Sequence, residues 1–61
     1  MNPEFSELMK KIDEQIVIYK ADSAKAAEKG NATAARRARG ATLELTKLFK
    51  EYRKMSVKEV G

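Results

Sequence analysis

A single break divides this chain. Gly30-Asn31 separates two stretches in which apolar and small residues recur at alternating spacings of three and four, the signature of a helix with one buried stripe rather than a strand. In the first stretch the seam runs Phe5, Met9, Ile12, Ile16, Tyr19, Ser23, Ala26, widened by Leu8. The second runs Ala34, Ala38, Ala41, Leu45, Leu48, Tyr52, Met55, with Phe49 beside it. Asn2 before Pro3 reads as an N-cap followed by the residue best suited to the first helical position. Glu4 and Glu7 favour the positive end of the helix dipole, and Lys25 and Lys29 its negative end. Gly30 is suited to the left-handed conformation that ends a helix, and Asn31 or Thr33 to capping the next.

The expected fold is therefore all-α: an antiparallel two-helix hairpin of about 3–29 and 32–58, forming one domain over 1–61. Folding about the break sets alanines opposite alanines at the turn and Phe5, Met9 and Ile12 near Phe49, Tyr52 and Met55 at the open end. A chain of 61 residues rarely obtains more than about 3–5 kcal/mol from a core of its own. With neither cysteine nor histidine present, disulfides and nearly all zinc sites are excluded, so no metal or cofactor is expected. Self-association remains as the common remedy, most economically a homodimer forming a four-helix bundle or coiled coil. The residues assigned to core and dimer contact are Phe5, Leu8, Met9, Ile12, Ile16, Tyr19, Leu45, Leu48, Phe49, Tyr52 and Met55.

Charge is segregated between the halves. The net charge is +4 with a pI near 9.6. Residues 1–30 hold five lysines against six acids, a balance of −1, while residues 31–61 hold eight cations against three, a balance of +5. At ~100° per residue, Arg36, Arg39, Lys47, Lys50, Lys54 and Lys58 fall in one arc opposite Ala38, Leu45 and Tyr52. Arg37 and Arg53 widen the arc, and Glu44 and Glu51 lie to one flank. From Arg36 to Lys58 the row is about 33 Å long, roughly one turn of B-DNA. Solvated helix faces usually mix signs to gain i,i+4 pairs, so a row of like charges points to a polyanion as counter-ion. Lys25 and Lys29 cluster with Arg36, Arg37 and Arg39 around the turn as a second contact zone, where the second helix begins without an acid. The DNA-binding candidates are thus Lys25, Lys29, Arg36, Arg37, Arg39, Lys47, Lys50, Arg53, Lys54 and Lys58. Gly40, mid-helix near the basic side, suits either close approach of a phosphate or simple tolerance. The aromatics lie on or beside the seams and are assigned to packing rather than to base stacking, and no set of groove-reading side chains is present. Sequence-neutral binding to duplex backbone follows.

Catalysis is not expected. The acids are scattered, and Asp13 and Glu14, being adjacent, diverge on a helix. No stretch approaches the ~18 apolar residues of a membrane span and no signal peptide is evident, so the protein is read as cytoplasmic and nucleoid-associated, without a membrane partner. The rival readings are a helical protein-interaction module, in which the charge is incidental, and an RNA- or ribosome-associated protein, since backbone electrostatics serve either nucleic acid.

The ordered set Gly30-Asn31, Ala34-Ala35, Arg37, Arg39, Leu45, Lys47, Lys50, Tyr52-Arg53-Lys54, Ser56 and Lys58 resembles the bacterial linker-histone-like family known from chlamydiae. The resemblance covers most of the chain and is densest from 28 to 58. It implies a nucleoid-associated protein that binds and compacts DNA with little base specificity. Chlamydial members carry a long Lys- and Ala-rich tail, and this sequence ends at Gly61 without one. DNA binding is therefore expected from the hairpin itself, with a dimer bridging two duplexes through two basic faces.

Overall fold

A computed structural model describes residues 2–61. Among them are two helices and no strand: α1 over Pro3–Lys29 and α2 over Ala32–Glu59. The helices form an antiparallel hairpin whose principal extents are 43 × 16 × 13 Å. The local chemistry at each end is visible in the caps. Asn2 sits in extended backbone, and its side-chain oxygen accepts the Glu4 N–H at 2.8 Å, one of the donors a helix start leaves without a partner. Pro3, which has no N–H to satisfy, follows it. Gly30 ends α1 at φ 60°, ψ 31°, with its N–H donating to the Ala26 carbonyl at 3.0 Å. Of the two capping residues the sequence offers for α2, Asn31 takes the role: its Oδ1 accepts the Ala34 N–H at 3.0 Å. At the open end the Asn2 amide donates to the Glu59 carboxylate and ties the termini of the two helices together.

A methyl group added at Gly30 would project into open space, so the cost of an alanine there is conformational alone. An L-residue in the left-handed region costs about 1 kcal/mol. Gly30→Ala is expected to lower the thermal midpoint by about 6 °C in a domain of this size, measured by circular dichroism.

The core is narrow. Phe5, Leu8, Ile12 and Leu45 form its buried cluster, with Ile16, Leu48 and Met55 packed against it. Toward the turn it continues through Ala34, Ala38 and Ala41, so the hairpin tapers from bulky side chains at the open end to methyl groups at the tip. Phe5 and Tyr52 pack with ring centroids 5.3 Å apart and planes tilted by 34°.

Four residues that share the core periodicity lie outside this line. Met9, Tyr19, Phe49 and Tyr52 are 37%, 42%, 43% and 39% exposed. The reason is geometric: two crossing helices meet along one line, whereas each apolar stripe is wider than that line, leaving one edge uncovered. Conversely, Asp22 is buried, at 8% exposure.

Candidate nucleic-acid interface

The buried line of α2 runs through Ala34, Ala38, Ala41 and Leu45, which turns the opposite side of the helix to solvent. All ten sequence-nominated cations are exposed. On α2, Arg36 and Arg39 stand near the turn, and Lys47, Lys50, Lys54 and Lys58 continue toward the open end. The two groups are separated by Gly40 and by Leu43, which is 68% exposed. The row is thus interrupted at its middle by an apolar side chain that sequence reasoning passed over. Any single exposed leucine is ordinary; only its position inside the cationic arc singles it out.

Near this interruption the hydroxyls turn back on the helix. Thr42 Oγ1 donates to the Arg39 carbonyl at 2.6 Å and Thr46 Oγ1 to the Thr42 carbonyl at 3.0 Å. These threonines are therefore engaged with their own helix, and the outward chemistry of the face is cationic.

Arg37 behaves differently from the rest of the set. Its Nε lies 3.7 Å from Asp22 Oδ1 on α1, the ion pair formed among the described residues. The carboxylate is held where water is largely excluded while the Arg37 side chain remains 58% exposed. Asp22 thus directs Arg37 toward the junction of the helices, a role that charge counting did not reveal. No periodicity pointed to it, since Asp22 stands beside the α1 seam and not on it.

The two flanks of the hairpin contrast. On one, Met9, Ile12, Phe49 and Tyr52 line a hollow near the open end that Asp13 borders. The same flank continues toward the turn as a shallow trough floored by Ala26, Ala35 and Ala38, with Tyr19, Ser23, Arg39 and Thr42 around it. On the other flank, Glu4, Glu7, Lys11 and Glu51 surround the edges of Leu8, Leu48 and Met55. One flank is largely apolar and the other carries mixed charge.

Over residues 6–60 the chain matches the family described as histone H1-like protein Hc1. The chain belongs to that family. The match takes in both helices almost entirely and includes every one of the ten basic candidates. Hc1-family membership makes the chain a histone-like, DNA-binding nucleoid protein, in a family that is generally non-enzymatic. No match emerges among curated proteins or among solved structures. Within the described residues, no helix is long and apolar enough to cross a membrane.

Proposed function

We propose that this protein binds duplex DNA through the phosphate backbone, without base specificity, using the basic row of α2, and that it does so as a homodimer. The observation that carries the reading is the outward cationic face of α2, Arg36 to Lys58, set opposite the side buried against α1. Arg53 widens that face, Lys25 and Lys29 add exposed cations on α1, and Arg37 adds its partly exposed guanidinium. Each cation that meets a phosphate releases condensed counterions, and this supplies affinity that takes no account of sequence.

The homodimer reading draws its support from the uncovered apolar flank. Met9, Tyr19, Phe49 and Tyr52 present large side chains on a hairpin whose buried cluster, among the described residues, contains four large residues. A second copy placed there covers surface that one hairpin leaves in water.

The test is the salt dependence of affinity for a random-sequence duplex. Six phosphate contacts give a log–log slope of about −5 and about a 10³-fold loss between 50 and 200 mM salt. A slope flatter than about −2 would remove the phosphate-binding reading and favour a protein-interaction module. Competition by duplex RNA of equal length, if stronger than by DNA, would transfer the reading to RNA.

A further inference from the structure

We infer that the two copies stack tail to tip across the apolar flank, so that both basic rows lie on the same side of the dimer and engage one duplex together. The inference rests on the proposed homodimer and adds to it the arrangement of the copies.

The flank is graded in size along its length. At 1.5 Å per residue, Met9 and Tyr52 lie about 31 Å from the turn and Phe49 about 27 Å. Ile16 and Leu45 lie about 21 Å from it, Thr42 about 16 Å, and Ser23 and Ala38 about 10 Å. A twofold axis crossing the flank at the level of Ile16 and Leu45 lays Tyr52 over the second copy's Ala38. The same operation lays Phe49 over Thr42 and Met9 over Ser23. Tyr52, Phe49 and Met9 each then meet a smaller residue, while Tyr19 falls level with the second copy's Asp13, which brings the two helix layers toward an even separation. Stacking tip on tip would set Tyr52 over Met9 at one end and alanine over alanine at the other, opening a wedge.

Charge favours the same register. Asp13 and Lys20 are both exposed on this side of α1, about 25 and 15 Å from the turn, so the same axis brings each opposite the other in the second copy. Two symmetry-related ion pairs result. Tip-on-tip stacking instead brings Lys20 toward Arg39. The 43 by 16 Å outline of the hairpin provides on the order of 700 Å² per copy, close to the ~800 Å² per partner of a standard interface.

This axis stacks α1 on α1 and α2 on α2. The two α2 helices lie side by side, about 10 Å between axes, and both rows face outward on that side. The α1 side carries the half of the chain whose charge balance is −1. Arg39 and Arg53 of the two copies approach at the rim, so dimerisation strengthens as salt or a polyanion screens them. Joining two separate duplexes needs rows on opposite sides, which only the other stacking supplies.

Charge reversal reads the register directly. Asp13→Lys and Lys20→Asp each place like charges at both symmetry-related contacts, and an equal mixture restores two opposite-charge pairs. Native mass spectrometry of the mixture is expected to show heterodimers over homodimers by about tenfold beyond the statistical ratio. An immobilised duplex saturated with wild-type dimer is expected to retain no second, labelled duplex. Dimers that mix statistically, or that hold a second duplex, would overturn the stacking and leave DNA binding by a homodimer intact. A wild-type chain that stays monomeric at all concentrations and salts would overturn the homodimer reading, and this inference with it. Both altered positions are exposed, so unchanged helicity in the variants confirms that folding is not what the mixture reports.

Discussion

Replacing Arg39, Lys47, Lys50 and Lys54 together with glutamine is expected to weaken duplex binding by at least roughly 10³-fold at 50 mM salt and to reduce the salt slope by about 3.6 for each chain that contacts the duplex. The slope is the more diagnostic quantity, because a variant that binds less well through misfolding loses affinity without a proportionate change in counterion release. All four positions are exposed on α2, outside the buried line of Ala34, Ala38, Ala41 and Leu45. Glutamine keeps a helix propensity close to that of lysine and arginine and relieves the repulsion between neighbouring cations. Thermal stability should therefore hold or rise slightly while affinity collapses. Arg37→Gln makes the contrast: it removes a cation whose guanidinium lies 3.7 Å from a carboxylate on a side chain only 11% exposed. Stability should fall there, because a buried carboxylate loses its partner, and the salt slope should change by less than one contact. Equal losses of slope for Arg37 and for Lys50, measured singly, would mean that the Asp22 pair does not hold Arg37 to the hairpin in the bound state.

What the sequence made legible follows from how local the chemistry is. Asn2-Pro3, Gly30 and Asn31 act on backbone groups one to four residues away, so their roles are readable without knowing the fold. Helical periodicity likewise identifies Phe5, Leu8, Ile12 and Leu45, since any partner helix must meet that stripe. It does not say which edge of the stripe the partner covers. That depends on the angle at which α1 and α2 cross, which no single residue encodes, and it leaves Met9, Tyr19, Phe49 and Tyr52 partly in water. Burial of Asp22 was hidden for a related reason: an acid is ordinarily assigned to solvent, and only the position of Arg37 on the other helix makes its burial tolerable. The cationic face was legible as a face because charge and periodicity agree, but the gap at Gly40 and Leu43 emerges only when the row is followed along the helix as well as around it.

Phe49→Glu is expected to convert the proposed dimer to a monomer, raising the dissociation constant at least about 100-fold, because the substitution would bury a carboxylate against the second copy without a partner. Phe49 is 43% exposed in the single hairpin, so a glutamate there remains hydrated in the monomer and penalises association rather than the local fold. Sedimentation would show the mass halved. The hairpin that remains has four large buried side chains to hold it, and its thermal midpoint should drop and lose its dependence on concentration. DNA binding should persist with roughly half the salt slope per particle, because one row of cations then acts where two acted before. Leu43→Glu supplies the comparison. That side chain is more exposed, at 68%, and stands on the cationic face away from the apolar flank. It should leave the mass unchanged while reducing DNA affinity, since it sets an anion inside the row. If Phe49→Glu keeps the wild-type mass and Leu43→Glu lowers it, the seam lies along the outer face of α2. The cations of that face would then be interface residues and not a DNA surface, because one side of a helix this narrow does not accommodate both.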